Sequence, residues 1–385
     1  MLELALQGSR KYWIWIVVLL GVISVGFGVY LWQLNFGLGI TGMSRDVSWG
    51  FYIANFTFLV GVAAGGVMVV LPYYLHDYKA FGKIVILGEF LAIAAVVMCM
   101  LFIVVDLGQP ARVLNVILHP TPNSVLFWDA VVLSGYLFLN LVIGWNVLEA
   151  ERNETHYQGW LKPLIYLSIP WAVSIHTVTA FLYCGMPGRG FWLTAILAPR
   201  FLASAFAAGP ALLILLCLFI RKTTKFDPGK EQIQSLAKIV AYAICLNVFF
   251  LLCEVFVAFY SNIPEHMDHL KYLYAGLHGH GSLVPWMWTS VVFMVTAIVL
   301  LVIPSTRKNE SVLAFTCVIL FIGTWIDKGL GMISGGFVPS PLHHVNEYAP
   351  TLPEIGITLG VYAVGALVLT ILYKMAVSVK EEVAA

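Results

Sequence analysis

Ten apolar runs, at roughly residues 12–36, 49–76, 83–107, 124–148, 163–186, 200–220, 235–260, 285–303, 311–335 and 354–378, leave this chain few ways to fold. A helix rises 1.5 Å per residue, so about 20 apolar residues cross the roughly 30 Å hydrocarbon core of a bilayer. Each run meets that length, and only 11% of the residues are charged. A soluble helical enzyme would need sustained polar stripes on its outer helices, and none is present. The expected class is all-α: a polytopic integral membrane protein with about ten transmembrane helices, a single membrane domain over residues 1–385.

The short loops alternate in character. With the N-terminus inside, that side receives Arg10, Lys11, Lys79, Lys83, Arg152, Lys162, Arg221, Lys222, Lys225, Lys230, Lys238, Arg307, Lys308, Lys374 and Lys380, which is 15 of the 21 basic residues. The positive-inside rule therefore predicts both termini in the cytoplasm and a multi-pass protein of the cytoplasmic membrane. The first run follows Arg10 and Lys11 without an Ala-x-Ala-like cleavage site and reads as a retained signal anchor. Loops assigned to the outer side carry seven of the ten histidines, with Pro- and aromatic-rich stretches such as 119–123 and 337–351. These shaped segments suit a cap or a docking surface. A net charge of +1, with no basic cluster interleaved with aromatics, argues against nucleic acid as a partner and leaves the lipid bilayer as the evident one.

Ionisable groups inside spans are costly in lipid and usually face the protein interior or a water path. Glu89 lies in the cytoplasmic half of run 3. Asp106, Asp129, His176, Glu254, Asp327 and Glu354 fall in the outer halves of their runs. That depth suits a proton-exchange zone, with Glu89, Glu254 and Asp327 as a candidate proton path, Glu89 continuing through Asn140 and Asn247. The plainer alternative is that Asp106, Asp129 and Glu354 cap helices or pair with Arg112, Arg200 or Lys328. A bis-His haem needs imidazoles at matched depths on facing helices, and only His176 lies well inside a span, so no haem b is expected. Cys99, Cys184, Cys217, Cys245, Cys253 and Cys317 lie in spans without C-x-x-C spacing, which predicts packing residues, no metal site and no iron–sulfur cluster.

Several motifs carry a resemblance. WGFYIANFTFLVGVAAGG at 49–66, DLGQPAR at 106–112, PNSVLFWD at 122–129, SIHT at 174–177 and the Tyr348–Pro350–Glu354 region resemble the NrfD/polysulfide-reductase membrane-subunit family over most of the chain. Ten spans rather than eight make it more similar to the branch that contains DsrP of the Dsr membrane complex and the hydrogenase-2 membrane subunit. The resemblance implies two NrfD-like bundles, the first over 1–148 with a quinone pocket and the second over 163–303, with an additional helix pair over 311–378. It implies a quinone-reactive subunit, incomplete as an enzyme alone, that exchanges electrons between (mena)quinol and an outer-face ferredoxin-like iron–sulfur subunit. A multihaem cytochrome c, further membrane subunits and a sulfur- or sulfite-linked metabolism are also implied. The quinone-site residues it carries over are Trp49, Tyr52, Asn55, Asp106, Gln109, Arg112, Asn123, Ser124 and Asp129, with His176 in the same polar interior; a quinol must lose two protons, and Asp129 and His176 are the expected acceptors. Gln109 stands where the family often has Arg.

The residues support this reading in physical terms. Trp49, Tyr52 and Asn55 recur at three-residue steps and are expected on one helix face, where Tyr and Asn can bond a quinone oxygen and Trp can pack its ring. An interfacial aromatic belt with a helix-bonding Asn explains the same spacing. Gly61 and Gly65 predict close helix packing. Two other classes fit a polytopic chain: a proton-coupled secondary transporter, for which Pro170 and Pro210 are possible kinks, and a purely structural anchor.

Overall fold

A computed structural model describes residues 1–76 and 78–384. The ten long apolar helices are α1 (Arg10–Phe36), α2 (Phe51–Leu75), α3 (Val85–Asp106), α4 (Val125–Arg152), α5 (Leu161–Cys184), α6 (Leu197–Thr223), α7 (Lys230–Tyr260), α8 (Val284–Val302), α9 (Glu310–Phe337) and α10 (Leu352–Val383). The chain is a multi-pass integral membrane protein. Several helices outrun their apolar stretch: α4 continues through Glu149–Arg152 and α7 starts at Lys230, because polar helix formers extend a helix into the interface at little cost. α5 and α6 run through Pro170 and Pro210 without interruption.

Two local differences from the sequence reading matter. α2 begins at Phe51, because Gly50 holds a non-helical conformation before it; Trp49 therefore precedes the helix instead of sharing its face with Tyr52 and Asn55. The 261–284 loop contains an amphipathic helix, Pro264–Tyr274. Pro at its first position and Glu265 in its first turn favour its start, and His269, Leu270, Tyr272 and Leu273 form its buried side.

α2 is the hub, almost wholly buried and packed on α3, α5, α6 and α9. α9 packs on α6 and α8, whereas α10 packs on α1, α3 and α4. Small residues set these crossings. A Cβ on Gly65 would lie 2.6 Å from Gly209 Cα, and one on Gly26 would lie 2.6 Å from Gly360 Cα. Without a hydrophobic drive between helices in lipid, such backbone approach supplies the van der Waals contact that joins α2 to α6 and α1 to α10.

Both termini lie on one face. Arg152 at the end of α4 pairs with Glu3 at 3.1 Å and Glu382 at 3.3 Å, and Lys380 pairs with Glu151 at 2.6 Å. The opposite, loop-rich face is called the loop face below. Gly65→Leu is expected to destabilise the fold by about 3 kcal/mol through overpacking, read as a lowered thermal midpoint in detergent. Gly21→Leu, where a Cβ meets nothing within 4 Å, is expected to leave it unchanged.

Candidate functional site

One face of α5 organises the polar interior. His176, Thr179 and Tyr183, spaced at three and four residues, are all buried and point the same way. Thr179 Oγ1 donates to Asp129 Oδ1 of α4 at 2.6 Å. The Tyr183 hydroxyl contacts that of Thr57 on α2. His176 Nε2 contacts Lys328 Nζ of α9, which leaves His176 Nδ1 buried without a protein partner. The two proton-acceptor candidates therefore lie one turn apart along the same strip.

Lys328 is not among the residues that the sequence marks for the site, and the local helix geometry explains its place. Ile326–Gly331 forms a π-helical turn within α9; such a widened turn, common at functional sites, lets consecutive residues face inward. Asp327 and Lys328 are both buried. Lys328 Nζ donates to Phe201 O at 3.3 Å and sits 4.5 Å from the Phe201 ring centroid. A Cβ on Gly61 would stand 2.9 Å from that nitrogen, so Gly61 makes room for it. Asp327 accepts from Arg200 Nη2 of α6 at 2.8 and 2.9 Å, and Arg200 Nη1 contacts Glu254 of α7. A cation shared between two carboxylates lowers the cost of holding each charge out of water. The sequence signal for this cluster is an aspartate–lysine pair followed by G-L-G inside an apolar run.

A second polar group closes the loop-face end of α1–α3. Gln33 Nε2 donates to Val105 O at 2.6 Å, and the Tyr52 hydroxyl donates to Gln33 Oε1 at 2.8 Å. Asp106 Oδ1 is buried with no partner. Glu354 accepts from Thr351 N at 2.8 Å, a capping-box bond, and from Gly42 N at 2.8 Å and the Tyr348 hydroxyl at 2.7 Å. Tyr348 in turn accepts from Phe51 N at 2.7 Å. The capping reading of Glu354 is the correct one, and its reach adds two loops and the start of α2.

The remaining candidates separate. Trp49 packs in an aromatic box with Tyr183, Trp192 and Phe337 at centroid distances of 5.7, 6.1 and 5.9 Å. Gln109, Arg112 and Asn123 are exposed on the loop face, Ser124 is half-buried, and none meets the buried acids. Glu89 is buried with Oε2 unpartnered; Asn140 Nδ2 donates to Tyr136 O at 2.8 Å, and Asn247 Nδ2 faces Met294 Sδ at 3.8 Å. These three do not form one hydrogen-bonded chain. All six cysteines are free.

Asn55 instead floors a crevice of about 270 Å³ that opens between α9 and α10, lined also by Phe51, Phe321, Trp325, Thr358 and Tyr362. Asn55 Oδ1 accepts from Trp325 Nε1 at 2.9 Å and from the Tyr362 hydroxyl at 2.8 Å. The Thr358 hydroxyl is buried without a partner. The walls are almost entirely apolar, and an unspent hydroxyl over a fixed amide is a geometry that takes a flat apolar ligand carrying an oxygen acceptor.

Three relatives cover nearly the whole chain. It is 26% identical to a protein of Halobacterium salinarum named as a membrane subunit of dimethyl sulfoxide reductase, over 92% of this chain and 88% of that one. It is 23% identical to a subunit of the selenate reductase of Mesobacillus selenatarsenatis, over 92% and 90%. It is 21% identical to the integral membrane subunit of menaquinone reductase of Nitratidesulfovibrio vulgaris, over 94% and 91%. Residues 39–338 match the family model described as polysulphide reductase, NrfD. The motifs at 49–66, 106–112, 122–129 and 174–177 all fall inside that match, and on its extent the chain belongs to the NrfD polysulphide reductase family.

Proposed function

We propose that this chain is the quinone-reactive membrane subunit of a multi-subunit oxidoreductase of the cytoplasmic membrane. It exchanges electrons between (mena)quinol and a ferredoxin-like iron–sulfur subunit docked on the loop face, which the basic-residue bias places outside. The observation that carries this reading is the α9–α10 crevice: apolar, with the Thr358 hydroxyl unspent beside Asn55. The menaquinone named for the Nitratidesulfovibrio relative is a ligand of that shape and chemistry. The family description and the relatives' names support a reductase complex with partner subunits; a sulfur-linked acceptor of the DsrP kind and a multihaem cytochrome c among those subunits belong to our proposal.

Quinol oxidation releases two electrons and two protons. Trp325 stands at the crevice and Lys328 one turn further along α9, against His176. His176, through its open Nδ1, and Asp129, bonded to Thr179, are the acceptors we assign. Asp327, Arg200 and Glu254 continue the polar chain to α7, and Glu89 is the corresponding carboxylate in the half nearer the termini. Asp106, near the Tyr52–Gln33 bond, is a separate proton acceptor at the loop-face end of α3. Gln109, Arg112, Asn123 and Ser124 serve the docked subunit rather than the quinone. Quinone binding also separates this reading from a bare anchor and from a solute transporter.

Thr358→Val removes only a hydroxyl with no protein partner, so the fold is expected to be retained. Binding of a fluorescent quinone analogue to the purified chain is expected to weaken about tenfold, the equivalent of one hydrogen bond of roughly 1.4 kcal/mol. Unchanged binding would remove the crevice from consideration. Asp129→Asn and His176→Ala are expected to lower quinol-dependent electron transfer about a hundredfold, the lower range for a lost acid–base group, with the complex assembled and analogue binding retained. Full turnover in both variants rejects the assignment.

A further inference from the structure

The loop face carries a feature separate from the crevice. It is a cavity of about 440 Å³ between the 185–190 loop, the Pro264–Tyr274 helix and the 339–343 loop. Its wall offers acceptors. Glu265 and Asp268 lie three residues apart on the helix, on one side of it, and both line the cavity. Glu265 is exposed and has no ion-pair partner among the described residues. Asp268 has Lys271 at 3.5 Å, the long end of the ion-pair range, with a lysine side chain that stays 40% exposed.

Arg189, the cation of the wall, is spent elsewhere. Nη1 donates to Phe337 O at 3.3 Å, Nη2 donates to Asp46 O at 3.4 Å, and the guanidinium lies 4.3 Å from the Phe337 centroid.

The second observation is His269, which lines the same cavity and is only 6% exposed. Its Nδ1 lies 2.5 Å from Gly335 O and 2.9 Å from Val338 O. Two carbonyls at that nitrogen require it to carry the proton, and burial holds the ring below the ordinary histidine pKa, hence neutral. Nε2 is then a bare lone pair with no protein donor. The rim is stiff: His343 N donates to Ser340 O and Ser340 N to His344 O, both at 2.8 Å. A walled cavity with two carboxylates and an acceptor nitrogen, whose own guanidinium is held by backbone carbonyls, fits a side chain that only donates and is positively charged.

We propose that this cavity receives an arginine or lysine side chain of the subunit that docks on the loop face, and so fixes that subunit's position. The inference rests on the preceding reading that a subunit docks there. The test uses the complex expressed with all its subunits. Glu265→Gln with Asp268→Asn is expected to weaken retention of the docked subunit at least tenfold, measured by size-exclusion chromatography across a salt series, and to flatten its salt dependence. Glu265→Gln alone, a change at an exposed site that leaves the fold intact, is expected to give part of that loss. His269→Asn, whose amide N–H takes the place of Nδ1 against Gly335 O and Val338 O, removes Nε2 and is expected to cost several-fold. Glu149→Gln on the termini face controls for loss of charge and is expected to have no effect. Retention and salt dependence equal to the unmodified complex in all variants overturn the proposal. Quinone-analogue binding, measured on the same samples, is expected to be unaffected; its absence from the unmodified chain would count against the quinone reading and not against this one.

Discussion

A bilayer interior does not solvate charge, and α9 carries an aspartate and a lysine side by side within its span. Both must find partners inside the protein, and the partners come from every helix around them. Asp327 takes Arg200 of α6, which also holds Glu254 of α7. Lys328 takes His176 of α5 and Phe201 O of α6, and occupies the space that Gly61 of α2 leaves open. Removing one partner of such a pair is more costly than never having built it, since the survivor stays charged and buried. The ionic cluster therefore commits α2, α5, α6, α7 and α9 to one mutual arrangement. Association in lipid has no general hydrophobic drive, so directional bonds of this kind select it among the many that apolar helices permit.

Small residues supply the rest of the selection. α2 crosses α6 where Gly65 meets Gly209, and α1 crosses α10 where Gly26 meets Gly360. The first contact presses α2 into the centre, where it carries Thr57 to Tyr183 and Asn55 to Trp325 and Tyr362. The second holds α10 beside α1 and leaves a gap between α10 and α9. The crevice thus lies where α10, bound to α1, and α9 are bridged by α2: Asn55 bonds Trp325 on one side and Tyr362 on the other.

Much of the fold is legible in the sequence because hydropathy is a one-dimensional signal and length alone tests it. Ten runs are ten helices, and Gly65 packs on α6 for the reason its spacing from Gly61 suggests. The candidate site is legible by residue and not by grouping. Asp106, His176 and Glu89, which stand out for ionising inside spans, do retain buried atoms without partners. The spacing of Trp49, Tyr52 and Asn55 suggests one face, but Gly50 starts the helix after Trp49, and the Tyr52 and Asn55 side chains reach α1 on one side and α9 and α10 on the other. Periodicity reports direction along a single helix; it carries no record of which neighbour stands there. Lys328 is legible as a possible ion-pair partner but not as a contact of His176, because the π turn that sets it and Asp327 inward has no hydropathy signature.

The segment from Phe321 to His343 joins the separate parts. It starts on the crevice wall with Phe321 and Trp325, passes through the Asp327–Lys328 turn, meets Trp49 and Arg189 at Phe337, and ends as the rim of the loop-face cavity at Ser340 and His343. A displacement at one point of this segment is resisted at the others, since Lys328 is held by α5 and α6 and Phe337 by the aromatic box. Rigid continuity of this kind suits electron exchange between a ligand in the bilayer and a subunit on the surface, where the separation of donor and acceptor must stay fixed. It also suits the division of labour proposed above, in which protons leave along the charged chain towards α7 and the docking subunit is gripped at the loop-face cavity.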